Sequence, residues 1–304
     1  MAIRLVVGAF SPSVLLSLAR RTGRLDEQGI EADEVPVASS PGQFRSLTDG
    51  ELDVALTSPD NVLAYRFSPS NPLGELLDVR IVSALDRGLG LALYGRPGLT
   101  AGGLRGARVG VDVPVSGFAL AMYALTESLG VPRGEYELLT LGSTPRRLTA
   151  LLAGDCDATM LNAGNELVAE AQGCVRLAAV ADVCSPYLGT VLAVSGGARL
   201  AAARSLAAAL DATSADLLGG RLDDVAVDTA AERLGVDEET ARRYVDRLRD
   251  PAEGLVPGGD VDPDALATLA GLRRRYLPEL VDGVDVLDRP LDQTSGLVVD
   301  RVPA

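Results

Sequence analysis

The chain has 304 residues, 47% apolar and 23% charged, the balance of a soluble globular protein long enough for two domains. Its net charge of −14 opposes nucleic acid or an anionic membrane as partner. All 28 basic residues are arginine, and histidine and tryptophan are also missing. This excludes Schiff bases, imidazole bases, Ser-His or Cys-His pairs and histidine metal ligands.

The first segment, IRLVVGAF, predicts a strand that ends in the polar loop Ser11-Pro12-Ser13. Apolar residues at helical spacing from Leu15 to Leu25 predict a helix before the strand EADEVPV. The loop Ser39-Ser40-Pro41-Gly42 opens a short helix over Gln43 to Leu47. The strand DVALTS and the loop Ser58-Pro59-Asp60-Asn61 then open a helix to Phe67. Each loop follows a strand and opens a helix, so hydroxyls and free N–H groups gather at the strand ends, where an open α/β sheet binds small ligands.

A strand over Val79–Ala84 and an apolar run at Leu89–Tyr94 follow. Arg96-Pro97-Gly98 breaks the pattern, and a crossing between domains is expected there. A second unit then repeats the first: strand 108–112, loop 113–117, helix 118–129, strand 136–141, helix 145–153, strand 157–161, the loop from Asn162, a helix from Glu166 and strand 175–180. The turn Gly50-Glu51-Leu52-Asp53 is echoed by Gly154-Asp155-Cys156-Asp157. Two similar lobes facing each other across a hinge are therefore expected, with 1–90 plus 193–304 as one and 91–192 as the other.

Thr190–Ser195 carries the chain back. From Ala198 onward helices are predicted over 200–219, 225–234, 238–249 and 262–275. This tail holds half of the acidic residues and reads as a solvated helical layer, with an acidic docking surface as the alternative. Cys156, Cys174 and Cys184 lack metal-ligand spacing and are expected to be reduced and buried. No cofactor fingerprint, metal site or membrane-spanning run is read from the sequence. Without a basic, apolar leader after Met1, the chain as given is expected to be cytoplasmic, or extracytoplasmic if a leader has been trimmed.

In order and spacing, LARRTGRLDEQGIEADEV, LTDGELDVALTSPDNVLAY, LRGARVGVDVPVSG, LLAGDCDATML and ERLGVDEETARRYV resemble the type II periplasmic-binding-protein superfamily. The resemblance points to its NMT1/THI5-like branch of sulfonate- and nitrate-type solute receptors. It implies an α/β, two-lobed fold with a hinge, a C-terminal helical layer and a ligand clamped between the lobes. Pyrimidine-synthesising members of that branch draw on a histidine and a pyridoxal-binding lysine, both missing here. Aromatic sulfinate desulfinases share a motif like Tyr65-Arg66-Phe67, whose arginine holds an anion. Their nucleophilic cysteine is replaced here by the Phe10-Ser11-Pro12 loop, so Arg66 carries over as an anion holder and their chemistry does not.

The candidate ligand contacts in the first lobe are Phe10, Ser11, Ser13, Ser40, Thr57, Ser58, Asn61 and Arg66; in the second they are Asp112, Ser116, Gly117, Asn162 and Tyr187. The serines are equally placed to cap helices. Arg66 is equally placed for a surface ion pair, and Tyr187 for packing rather than stacking on a flat ligand. The expected function is binding of a small organic anion, as the receptor of an import system with a permease as partner or as a cytoplasmic sensor. The rival is a lyase-, dehydratase- or decarboxylase-type enzyme working through Asp112 or Asp60, with help from Tyr187 or Ser11. No catalytic residue is assigned.

Overall fold

The computed structural model describes residues 2–281, 284–288 and 293–299. The first unit runs β1 (Ile3–Ala9), α1 (Val14–Arg21), α2 (Arg24–Glu27), β2 (Ile30–Pro36), α3 (Ser40–Asp49), β3 (Val54–Thr57), α4 (Pro59–Phe67) and β4 (Val79–Asp86). The second runs β5 (Ala92–Gly95), β6 (Arg108–Val111), α5 (Gly117–Ser128), β7 (Glu137–Thr140), α6 (Thr144–Ala153), β8 (Ala158–Leu161), α7 (Asn165–Ala171), β9 (Val175–Ala179) and α8 (Val180–Val183). The chain returns through β10 (Thr190–Ser195) to α9 (Leu200–Leu218), α10 (Asp223–Leu234), α11 (Glu238–Arg249) and α12 (Pro263–Tyr276).

Two five-stranded sheets result, ordered β2-β1-β3-β10-β4 and β7-β6-β8-β5-β9. They share one topology: the first three strands are parallel, and the fourth, β10 or β5, lies antiparallel to both its neighbours. Because β5 already belongs to the second sheet, the chain crosses between β4 and β5. Arg96-Pro97-Gly98 lies after β5 and turns the chain within the second unit instead. It crosses back between α8 and β10.

The repeated turn does the same work in both units. Gly50 and Gly154 close α3 and α6 at φ 78, a backbone angle that costs glycine nothing. Three residues on, the Asp53 carboxylate accepts from the Val6 N–H at 2.8 Å, and Asp157 accepts from the Arg108 N–H at 2.9 Å. Each aspartate thus satisfies a backbone donor on the middle strand of its sheet's three parallel strands, β1 or β6. That Arg108 N–H, with the guanidinium of Arg108 behind it, holds the Asp157 carboxyl below the usual range.

The acidic tail does more than coat one lobe. α9 and α10 pack on α1, α11 touches α7, and α12 lies against both α4 and α5. Among the described residues no helix is long and apolar enough to cross a membrane.

Asp157→Ala leaves the Arg108 N–H without its acceptor and is expected to cost about 1–2 kcal/mol in urea unfolding. An unchanged midpoint would contradict the capping role.

Candidate functional site

A cavity of about 110 Å³ lies between the two sheets, at the carboxyl ends of β1, β3, β6 and β8. That is where an open α/β sheet has no helix to cover it. From the first lobe come Phe10, Ser11 and Ser13 after β1, and Thr57, Ser58 and Asn61 at the end of β3. From the second come Asp112, Ser116 and Gly117 after β6, and Asn162 after β8.

The serine hydroxyls serve the helices while facing this space. Ser13 accepts from the Leu16 N–H, Ser58 from the Asp60 N–H and Ser116 from the Ala119 N–H. Asn61 donates to the Thr57 hydroxyl at 3.1 Å, and Asn162 donates to the Gly88 carbonyl at the first crossing. The walls between these groups are apolar, with Leu56 and Leu85 from the first lobe and Leu248 and Leu255 from the tail.

Three of the sequence candidates stand elsewhere. Arg66 lies five residues beyond Asn61, which turns it about 140° around α4 and away from the cavity. It donates to Asp78 at 2.7 Å, and to the carbonyls of Val79 and Ser295. Ser40 is buried under the Tyr65 hydroxyl, facing a second hollow on the far side of Asn61. Tyr187 is buried beneath the second crossing and lines a separate depression with Arg87 and Val256.

The sequence reading missed the one cation on the cavity wall among the described residues. Arg147, in the first turn of α6, is 2% exposed. Its Nε donates to the Met160 carbonyl at 3.2 Å, Nη1 to the Gly142 carbonyl at 2.6 Å and Nη2 to the Thr144 hydroxyl at 2.9 Å. All three partners are neutral, and among the described residues no carboxylate pairs with it. Burial lowers its affinity for a proton, opposed at a distance by Asp112. The sequence does hold a signal for this position. Ser143-Thr144-Pro145-Arg146-Arg147 falls where the first lobe has Ser39-Ser40-Pro41-Gly42-Gln43. Gln43 is also buried, donating to the carbonyls of Gly8 and Leu56 at 3.0 and 3.1 Å. Leu56 and Met160 are the third residues of β3 and β8, so the two side chains do the same structural work. Only the second lobe does it with a charge.

The N-terminus of α5, where Ser116 and Gly117 are candidate ligand contacts, is covered by the protein's own carboxylate. Asp60 reaches across from α4, packs its carboxylate against Gly117, and pairs through Oδ2 with Nη1 of Arg273 at 2.8 Å, while its Oδ1 is buried without a partner among the described residues. A Cβ on Gly117 would stand 2.5 Å from that of Asp60, so only glycine permits this approach between the lobes. Asp60 and Arg273 are almost wholly buried. Burial pushes the Asp60 carboxyl up against the pull of Arg273. Engaged in this way, Asp60 is in no position to act as a base in the cavity.

Asp86, at the end of β4, is a buried acid on the cavity wall itself. Burial pushes it up to about 6, although the Gly88 N–H and Thr190 donate to it. The three cysteines are free and buried, and burial pushes the Cys184 thiol up to about 11, unsuited to a thiolate.

The sequence matches no family model and no curated protein. Several solved structures are similar to nearly the whole chain. One is the alkanesulfonate-binding protein SsuA from Xanthomonas axonopodis pv. citri, bound to MOPS, at 17% identity and TM-score 0.70, covering 91% of this chain and 94% of that one. Another is a conserved Candida albicans gene product with the generic periplasmic binding protein fold, at 17% and 0.71, covering 97% and 95%. A third is the zinc-bound ligand-binding component of an ABC-type import system from Staphylococcus aureus, at 13% and 0.70, covering 90% and 91%. The chain has the periplasmic-binding-protein fold. At such identities the likeness establishes architecture and leaves the ligand to be argued from the cleft.

Two expected outcomes follow from the buried acids. Arg273→Met strands the Asp60 carboxylate and is expected to destabilise the protein by about 3–5 kcal/mol, part of which the double variant with Asp60→Asn recovers. Equal losses in single and double variants would contradict this. For Asp86, the folded value is raised above the ordinary one near 4, so the penalty is absent below pH 4 and fully present above pH 6. The stability of Asp86→Asn relative to the parent is therefore expected to improve by about 3 kcal/mol from pH 4 to pH 7. A pH-independent difference would show that Asp86 is not perturbed.

Proposed function

We propose that this protein binds a small organic anion in the interlobe cleft, reversibly and without converting it, and that Arg147 holds the anionic group. The observation that carries this is the buried guanidinium without a carboxylate partner among the described residues. A cation removed from water is costly unless paired. Arg147 has five N–H donors, and three of them meet neutral oxygens. A ligand carboxylate, sulfonate or phosphate would supply the missing charge in a planar, two-pronged contact. The hydroxyls of Ser143 and Thr144 line the cavity beside it.

The fold supports the same reading, since it is shared with ligand-binding components of import systems. The resemblance to the NMT1/THI5-like branch favours a sulfonate- or carboxylate-type ligand. We place the protein as the binding component of an import system that delivers to a permease; a sensor of the same design in the cytoplasm is the alternative setting. A catalytic reading has one observation in its favour, the Asp86 carboxyl raised to about 6 beside the cavity, a value suited to proton transfer near neutral pH. Recovery of each bound compound separates the two, since a receptor returns it unchanged.

The test is calorimetric titration with small sulfonates and carboxylates found by thermal shift. Arg147→Gln places in the second lobe the residue that the first lobe already uses, so the fold is expected to be kept. Affinity for the anion is expected to fall by about 2 kcal/mol or more, roughly thirtyfold. Arg66→Ala is expected to leave it unchanged. Undiminished binding by Arg147→Gln would remove Arg147 from the site.

A further inference from the structure

We propose that the cleft selects amphoteric ligands: compounds that carry, besides the anionic group held by Arg147, a cationic or hydrogen-bond-donating group that Asp112 receives. This rests on the binding reading above and adds the second pole of the site. Asp112 follows β6 and faces the same cavity as Arg147, half-buried. Its recorded side-chain partner is the Ser116 hydroxyl, which donates to Oδ1 and in turn accepts from the Ala119 N–H. No arginine pairs with Asp112 among the described residues. The cavity therefore presents a guanidinium and a carboxylate that are outside ion-pair distance of one another and have no counter-ion of their own.

Of the other acids nearby, Asp60 is paired with Arg273. Asp86 also lines the cavity and receives only neutral donors, the Gly88 N–H among them. The cleft is therefore dipolar, with one guanidinium facing the two carboxylates Asp112 and Asp86. A ligand of matching polarity cancels the charges of Arg147 and Asp112 at once. A simple anion satisfies Arg147 but brings a further negative charge into a partly dry cavity with Asp112 and Asp86, where like charges repel strongly. A carboxylate accepts hydrogen bonds and cannot donate them, so it discriminates for a donor and against its methyl analogue. The apolar wall of Leu56, Leu85, Leu248 and Leu255 suits a hydrocarbon segment between the poles.

The experiment compares ligand pairs that differ only by an ammonium in place of a methyl group: aminopropanesulfonate against butanesulfonate, and aminohexanoate against heptanoate. Each is titrated calorimetrically into the parent protein, Asp112→Asn and Arg147→Gln. In Asp112→Asn the side-chain amide oxygen can still accept from the Ser116 hydroxyl, so this variant is expected to fold, which a melting curve checks. In the parent protein the amino member of at least one pair is expected to bind at least tenfold tighter. In Asp112→Asn that preference is expected to collapse or invert, chiefly through tighter binding of the methyl member. In Arg147→Gln both members are expected to weaken. Binding of the anions with no preference for the amino member, or a preference that Asp112→Asn leaves intact, overturns the amphoteric assignment and leaves the binding reading standing. Failure of all four compounds to bind the parent protein overturns both.

Discussion

A guanidinium sits buried between two lobes with no carboxylate beside it among the described residues, and the design of the cleft turns on that charge. Arg147 is oriented by two backbone carbonyls and a hydroxyl, which fix its plane without neutralising it. Burying a charge in this way costs several kcal/mol of hydration. In the proposed binding reading, a ligand anion offsets that cost. The other buried arginine of the interlobe region, Arg273, is treated in the opposite way, being given Asp60 as an internal partner. The contrast between a paired and an unpaired buried arginine separates the structural seam from the proposed ligand seat.

That seam also covers the N-terminus of α5. A serine followed by glycine at a helix start is an open invitation to an anion, because the first N–H groups of the helix lack partners. Here the invitation is answered from within, as Asp60 of one lobe docks on Gly117 of the other. The N-terminus of α5 is covered by Asp60, and the proposed ligand seat is the first turn of α6 instead. The tail takes part in this, since α12 supplies Arg273 and touches both α4 and α5. α11 supplies Tyr244 and Leu248 to the cavity wall.

Most of the architecture was legible because the two periods, two for strands and 3.6 for helices, are clean and occur twice. The strand-end residues Thr57, Ser58, Asn61, Asp112, Ser116 and Asn162 follow from topology alone, since loops at strand ends must face the cleft. Arg66 was misplaced because its motif gave no weight to helical phase, which sets it on the far face from Asn61. Arg147 escaped notice because Arg146-Arg147 reads as an ordinary solvated pair on a helix, and only Arg146 is exposed. Aligning the two lobes to the residue would have exposed it, as an arginine standing where its twin is the buried Gln43. The roles of Asp60 and of the tail residues were beyond local reading, since the partner of Asp60 lies 213 residues away.

The central claim is that the ligand's acidic group rests on Arg147. It is met most directly by a crystal structure of the protein with the tightest-binding anion from the titrations. A carboxylate or sulfonate oxygen is expected within hydrogen-bond distance of the Arg147 guanidinium, with Asp60 still against Gly117 and paired with Arg273. An acidic group bound at Arg66, or at the N-terminus of α5 with Asp60 displaced, would contradict it.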